Sequence, residues 1–314
     1  MPNLPALVPD FSDALASAEA YARAESSEAT RRAYAGDFSA FVAWCARVQA
    51  AALPASPATV AAYLAELADR GLKASTIERK VAAVKYAHRL GGHASPTDDY
   101  AVKAVSRGIR RKIGIAKTGK SPATAPLVAK MVKKLPATLA GKRDRAVLLL
   151  GFAAALRRSE LIGLCVSNVE STTDGAFLRI GKSKTDQEGV GYTIAIPRAG
   201  KLGVLEALDD WLAASAIESG PLFRQITRHG AIGARALTGQ SVALIVKRVA
   251  KAAKLDPALF SGHSLRSGFV TSALEAGSDL FKIMDVTRHR EVATLRVYDR
   301  RAKAFKDHAG KKFL

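Results

Sequence analysis

Apolar residues recur at helical spacing through the first third of the chain, and this pattern predicts a bundle of helices. Between about 26 and 50, the apolar residues Tyr34, Phe38, Phe41 and Cys45 fall on one helical face. The last helix of this part is expected at roughly 98–112. The first part of the chain is therefore predicted to be all helical.

Residues typical of helix ends mark two further helices between these. Ser56 and Pro57 predict the start of one, as N-cap and first-turn proline. The stretch STIERKVAAVKYAHRLGG predicts another, which begins with a capping box from Ser75 to Glu78 and ends at Gly91.

Beyond about residue 124 the pattern mixes helix and strand. The run KRDRAVLLLGFAAALRRSELIGL predicts a long buried helix, a turn and a second helix that starts at Ser159. Two β-rich runs, FLRI and YTIAIP, flank a polar loop and predict a hairpin. Further helices are expected at about 201–217, 239–253, 264–276, 279–288 and 302–310.

Composition and charge narrow the class of partner. The 314 residues are 48% hydrophobic and 6% aromatic, which favours two domains with real cores and mostly helical structure. The formal net charge of +20 favours a polyanionic partner, with nucleic acid first. No apolar run reaches the roughly 18–20 residues needed to span a bilayer. The acidic start lacks the basic n-region of a secretion signal, and Cys45 and Cys165 in unlike contexts fit a reducing cytoplasm.

A basic stretch separates the two parts. From 101 to 120 there are seven basic residues and no acidic one, and the sequence from Thr118 to Pro122 is typical of a linker. Two interpretations stand side by side: a solvated charged hinge, or a cationic strap between two domains that close around a duplex. The net charge of the chain favours the strap.

The candidate chemistry lies in the second part, in pieces that each have an ordinary explanation. Arg157 and Glu160 are three apart across a helix boundary, which fits a surface ion pair equally well. His263 and Arg266 lie one helical turn apart near a helix N-terminus, so both side chains can point at one anion. His289 alone is typical of a helix C-terminus, and Tyr298 alone of a core aromatic. No cluster has metal-ligand spacing, so a metal nuclease is not predicted.

Taken together, the order and spacing of these pieces resemble the tyrosine recombinases, the phage integrase family of the Cre and Xer type. ALRRSELIGL is similar to that family's first arginine box, GHSLRSGFVTSALEAG to its second and RHREVATLRVYDR to its third. The resemblance implies a mainly α fold of two domains, a helical SAM-like core-binding domain and an α+β catalytic domain with a small β-hairpin or sheet. The implied bounds are a DNA-binding domain at 11–112, a basic linker at 113–123 and a catalytic domain with a C-terminal helix at 124–314.

The resemblance also implies roles for individual residues. The implied catalytic set is Arg157, Lys184, His263, Arg266, His289 and Tyr298. In it the arginines bind the scissile phosphate, the histidines assist and the tyrosine attacks. Lys184 lies in the hairpin loop, with Lys182 close enough that the register could exchange them, and Glu160 has a supporting structural role. DNA contacts are expected from Lys80, Lys85, Arg110, Arg111 and Lys112.

The chemistry of a phosphodiester gives independent reasons for this set. Charge gathers on the non-bridging oxygens in the transition state, and two arginines can neutralise it. A tyrosine hydroxyl, with a reference pKa of about 10, needs a proton acceptor or a cationic setting to attack. A lysine on a loop can give the leaving 5′ oxygen its proton. Neither metal nor other cofactor is expected, and the 3′-phosphotyrosine link makes ATP unnecessary.

The expected function is site-specific DNA recombination, with a type IB topoisomerase or a non-catalytic DNA-binding regulator as alternatives. The expected partners are double-stranded DNA with inverted-repeat sites and three further copies of the chain, in a homotetramer on synapsed DNA. The expected location is the cytoplasm, at the bacterial nucleoid. One departure stands out: Arg288 occupies a position where the family usually has glycine, which predicts an added phosphate contact or an altered pocket.

Overall fold

The computed structural model describes Glu25 and residues 27–115, 119–181, 191–289, 291–295 and 298. The chain divides into two compact units, Met1–Thr118 and Gly119–Leu314. No helix among these residues is long and apolar enough to cross a membrane. The expected helix at 302–310 lies outside the described residues.

The described part of the first unit is all helical, as predicted. Its helices are α1 (Glu28–Arg47), α2 (Pro57–Asp69), α3 (Ala74–Leu90) and α4 (Tyr100–Ile113). Ser56 caps α2 as expected, since its side chain accepts a hydrogen bond from the Thr59 backbone N–H. The expected capping box at Ser75 is wrong: α3 begins at Ala74, with Lys73 as its N-cap. Ala74 is buried in the unit, and the helix starts two residues earlier than expected, so Ser75 falls in its first turn.

An aromatic cluster forms the centre of this core. Phe41 and Trp44, one turn apart on α1, both contact Tyr63 on α2, with ring centroids 5.0 and 5.2 Å away. Each buried aromatic ring removes a large apolar area from water. The helical face predicted for α1 is therefore the face that packs.

The second unit combines helices with two small sheets. Its helices are α5 (Ala125–Val132), α6 (Leu139–Ala153), α7 (Arg158–Gly163), α8 (Val204–Ser215), α9 (Gly239–Ala252), α10 (His263–Glu275) and α11 (Leu280–Thr287). Its strands are β1 (Val169–Ser171), β2 (Gly175–Ile180), β3 (Tyr192–Pro197), β4 (Arg224–Ile226) and β5 (Ile232–Ala236). The predicted hairpin is confirmed, with β2 antiparallel to β3 and Phe177 opposite Ala195. Strand β1 extends that sheet at one edge, and β4 pairs with β5.

Helix α6 runs through the core of this unit, and α10 packs beside it. Leu148, Leu149 and Leu150 of α6 are completely or almost completely buried. On α10, Gly268 lies against the Ala123 backbone so closely that a Cβ there would overlap the Ala123 carbonyl oxygen. This close approach fixes the first turns of α10, which carry the predicted HxxR pair.

Candidate active site

Arg157 and Glu160 form a closed pair at the start of α7. Arg157 is the N-cap residue, and its backbone N–H donates to Glu160 Oε2 at 2.8 Å. Its Nη1 donates to Glu160 Oε1 at 2.7 Å. The ion pair that the sequence allows is present, but the Glu160 side chain is only 1% exposed. The carboxylate is therefore buried and does not lie at the surface.

Arg266 is buried beside this pair with one donor unused. It lies in the first turn of α10 and is 2% exposed. Its Nη1 donates to the Ala155 carbonyl oxygen at 2.7 Å, while its Nη2 is buried with no partner among the described residues. Burial and the charges of Arg157 and Arg288 lower the pKa of Arg266 to about 9. No carboxylate among the described residues bonds to this guanidinium group, as expected of a group that binds an anion.

Arg288 brings a third guanidinium group to the same carboxylate. It follows α11 directly, and its Nη2 donates to Glu160 Oε2 at 2.6 Å. Burial opposes ionisation of Glu160, but the charge of Arg288 and the hydrogen bonds from Arg157 outweigh it and hold the pKa of Glu160 below its usual value. The cluster therefore contains three cations and one carboxylate.

His263 is the first residue of α10, one turn before Arg266. Its side chain is exposed to solvent, yet the protein atoms around the ring partly dehydrate it. This dehydration, together with the charges of Arg266 and Arg157, lowers the pKa of His263. A neutral ring is favoured as a result, and a neutral imidazole can accept a proton.

His289 is held in one tautomer by Thr287. The Thr287 hydroxyl donates its only hydrogen to the Ile283 carbonyl oxygen at 2.8 Å. Its oxygen lies 2.8 Å from His289 Nδ1, so both bonds form only if Nδ1 carries the hydrogen and donates it. Burial, with the charges of Arg266 and Arg157, lowers the pKa of His289 to about 4. In this neutral form Nε2 is an acceptor, and it donates to a phosphate only after taking up a proton.

Tyr298 is helical and half-buried. Its ring packs against the apolar cluster of Val270, Leu274, Ile283 and Leu295. Its phenolate form would favour the charged form of Arg266, so the hydroxyl is within electrostatic reach of that guanidinium group. The predicted Lys184, like Lys182, lies outside the described residues.

Comparison with known proteins identifies the group to which this arrangement belongs. The model of the phage integrase family matches residues 125–304. The chain belongs to the phage integrase family. The model of the phage integrase N-terminal SAM-like domain matches residues 18–90. Both matches confirm the resemblance drawn from the three boxes.

Individual members of the phage integrase family match over most of the chain. An integrase/recombinase xerD homolog of Selenomonas ruminantium is 40% identical over 303 residues, which cover 93% of this chain and 88% of that protein. Recombinase cre of Escherichia phage P1 is 28% identical over 267 residues, 78% of this chain and 76% of that protein. The crystal structure of XerH site-specific recombinase bound to palindromic difH substrate, a post-cleavage complex, has a TM-score of 0.58 at 16% identity, covering 79% of this chain and 70% of that one. The likeness to this structure concerns the fold and confirms the predicted fold class.

The five residues expected to contact DNA in this integrase differ in what they bind. Three of them have acidic partners: Lys80 with Asp37 at 3.0 Å, Lys85 with Asp98 at 2.6 Å and Arg110 with Glu78 at 3.3 Å. The Lys80 side chain is only 12% exposed. Arg111 and Lys112 are exposed and, in the part of the chain that the structure describes, pair with no carboxylate.

Two residues of the site were not recognised from the sequence. Arg288 is predicted from the sequence to add a phosphate contact or alter the pocket, but nothing in the sequence indicates its bond to Glu160, a residue 128 positions earlier. Thr287 gave no signal except its place two residues before His289. Among the described residues, no group of three potential metal ligands occurs.

Proposed function

We propose that this chain, a tyrosine recombinase, uses Tyr298 to cleave and rejoin DNA strands at a specific site. The observation that carries the assignment is the buried Arg266 Nη2, a cationic donor with no acceptor among the described residues, within electrostatic reach of the Tyr298 hydroxyl. A buried guanidinium donor without an acceptor is costly unless an anion completes it. A phosphodiester is an anion of suitable geometry.

In the proposed reaction one phosphate ester is exchanged for another. Arg157 and Arg266 bind the non-bridging oxygens of the scissile phosphate. The Tyr298 oxygen attacks the phosphorus, its proton passes to a neutral histidine, and the P–O bond to the 5′ oxygen breaks. Lys184 supplies the proton of that leaving oxygen. The 5′ hydroxyl of a second strand then attacks the 3′-phosphotyrosine, the phenol regains its proton, and no bond energy has to come from ATP.

The histidines divide this proton transfer between them. His263 is exposed at the N-terminus of α10 and neutral, so it can take the phenol proton. His289 presents Nε2 as a second acceptor because Thr287 holds its hydrogen on Nδ1. Once protonated there, His289 donates to the phosphate, which is the role expected from the sequence.

We further propose that the substrate is double-stranded DNA with inverted repeats, bound by a homotetramer at the nucleoid in the cytoplasm. The net charge of +20 supports a DNA partner, and the XerH relative was crystallised on a palindromic substrate. In this proposal residues 11–112 form the DNA-binding domain and residues 124–314 the catalytic domain. The basic segment 113–123 connects them as a strap. The division of the chain after Thr118 supports a linker in that segment.

The test is a nicked DNA substrate that carries the cognate site and traps the covalent intermediate. Wild type should give a protein–DNA adduct on a denaturing gel, and Tyr298→Phe should give none. Tyr100→Phe is the control, because Tyr100 is a highly exposed tyrosine of the N-terminal unit and should leave the adduct intact. An adduct with Tyr298→Phe would overturn the assignment, and relaxation of supercoils without a preferred site would favour a topoisomerase instead.

A further inference from the structure

Arg288 occupies a backbone position that does not suit it. It is the residue at the end of α11, with φ 56° and ψ 42°, in the left-handed region. For a residue with a Cβ this conformation is sterically strained, and glycine is the usual residue at such a helix end. The position by itself therefore favours glycine, and the reason for an arginine has to lie in its side chain.

The side chain turns inward and binds the site. It is 7% exposed, and its Nη1 donates to the Val286 carbonyl oxygen at 3.0 Å. Its Nη2 donates to Glu160 at 2.6 Å and lies 3.5 Å from the Ala155 carbonyl oxygen. Arg266 binds that same carbonyl oxygen. Arg288 thus touches both the carboxylate that holds Arg157 and the turn that holds Arg266.

The charges in this cluster show what the extra cation changes. With Arg157 alone, the Glu160 carboxylate would neutralise one of the two arginines expected to bind phosphate. With Arg288 bound to the same carboxylate, one negative charge is shared by two cations, and Arg266 bonds to no carboxylate among the described residues. The cluster then keeps two net positive charges, and two of its buried donors, Arg266 Nη2 and Arg288 Nε, have no acceptor among the described residues.

We propose that Arg288 is a positioning residue for strand cleavage: it shares the Glu160 carboxylate, so that Arg157 remains fixed in place without losing its charge to that carboxylate. The proposal rests on the proposed function, because it assumes that the phosphate binds Arg157 and Arg266. It assigns to Arg288 an action through Glu160 and no contact with the reacting atoms.

A double-mutant cycle with Glu160 tests this action. The rate of adduct formation at saturating DNA is measured for wild type, Arg288→Gly, Glu160→Gln and the double variant. Arg288→Gly should lower the rate by about tenfold, the size of a coupling within one charge network. In the Glu160→Gln background the same change should cost less than about twofold, because no carboxylate charge is left to neutralise. Equal losses in both backgrounds would overturn the proposal, since they would indicate direct contact with the phosphate.

Lys254→Gly is the matched control. Lys254 is also a basic residue of this unit with a left-handed φ, 59°, but it is exposed. Its replacement relieves the same backbone strain and removes the same charge, so the rate should stay within about twofold of wild type.

Two further variants keep the test independent of the glycine substitution. Arg288→Lys retains a cation near Glu160 and should keep most of the rate, whereas Arg288→Gln should lose about as much as glycine does. A glutamine variant at the wild-type rate would overturn the proposal. Failure of the proposed function looks different, because wild type would then give no adduct or Tyr298→Phe would still give one.

Discussion

Asp37 in the N-terminal unit and Glu160 in the C-terminal unit are buried carboxylates with the same local design. Asp37 accepts hydrogen bonds from Arg79 at 2.6 Å and from Lys80 at 3.0 Å. Glu160 accepts bonds from two arginines at similar distances. The two clusters differ in what lies beside them. Next to Glu160 a further cation, Arg266, is buried with a donor that has no acceptor in the described part of the chain, whereas every buried polar side-chain atom described around Asp37 has a partner.

This difference separates a cluster that stabilises the fold from one that awaits a ligand. The bond to Asp37 raises the pKa of Arg79, as expected of a cation bonded to a carboxylate. Burial and neighbouring cations lower the pKa of Arg266, as expected of a buried cation that no described carboxylate binds. A closed cluster contributes to the free energy of unfolding, and an open one gives up stability for binding.

Substitution of Arg266 should produce the largest effect. It should also separate the two clusters most clearly, because it changes the cleavage rate whereas the matching change near Asp37 changes stability. Arg266→Ala should lower the rate of adduct formation by about 10³-fold, since the transition state loses a preorganised cationic donor. The rate is measured under single-turnover conditions with the trapping substrate. Arg79→Ala, the corresponding change at the closed cluster, should lower the melting temperature and leave the rate of the folded enzyme unchanged. Equal rates for Arg266→Ala and wild type would mean that the open donor has no role in cleavage.

Substitution of Asp37 should have the next largest effect, on stability. Asp37→Asn should lower the free energy of unfolding by about 2–3 kcal/mol, because Lys80 would be left buried without a counter-charge. Burial opposes ionisation of Asp37, but the hydrogen bonds from Arg79 and Lys80 outweigh it and lower its pKa below 3.8. The stabilisation is therefore complete above pH 3.8 and lost as pH falls through the lower folded-state pKa.

Urea unfolding at neutral and acidic pH measures both statements about Asp37. Asp69→Asn is the control, because Asp69 is an exposed carboxylate on α2 of the same unit. A loss of stability for Asp37→Asn no larger than that of the control would show that the closed cluster contributes nothing.

The two clusters also mark the limit of what the sequence predicts. Local signals were sufficient for the hairpin of β2 and β3, the cap at Ser56 and the placement of HxxR at the start of α10. Pairs far apart in the chain carry no local signal: Lys80 bonds to Asp37 across 43 positions, and Arg288 to Glu160 across 128. The strands β4 and β5 were missed because they are short, contain glycine and charged residues, and do not alternate clearly.

A smaller effect is expected at His289, which belongs to the open cluster around Glu160 and Arg266. Nitrogen chemical shifts of the DNA-free protein at pH 7 should show a neutral ring with its hydrogen on Nδ1. Thr287→Val removes the oxygen that accepts this hydrogen, so the Nε2–H tautomer should appear, and stability should fall by about 1 kcal/mol. An unchanged tautomer in the variant would contradict the role given to Thr287.

The dependence of stability on pH at His289 is opposite to that of a histidine whose pKa is raised by an acidic partner. Its pKa is lowered from 6.5 to about 4, so the folded protein binds this proton less readily than the unfolded chain. Stability from this group is therefore complete above pH 6.5 and decreases as pH falls towards about 4. A ring that becomes protonated between pH 7 and 6 in the DNA-free protein would contradict this direction.

The smallest effect is expected at the DNA-contact candidates of the N-terminal unit. This unit contains both cations that are paired with a carboxylate and cations for which the described residues provide none. Arg111 is exposed without a carboxylate partner among the described residues, whereas Lys80 is committed to Asp37. Arg111→Ala should therefore reduce the slope of log affinity against log salt by about 0.9, the value for one phosphate contact. Lys80→Met should lower stability and leave the slope unchanged, because a cation that already neutralises a buried carboxylate releases no counterion from DNA. A reduced slope for Lys80→Met would show that its pairing with Asp37 opens on DNA and that burial alone does not distinguish the two kinds of cation.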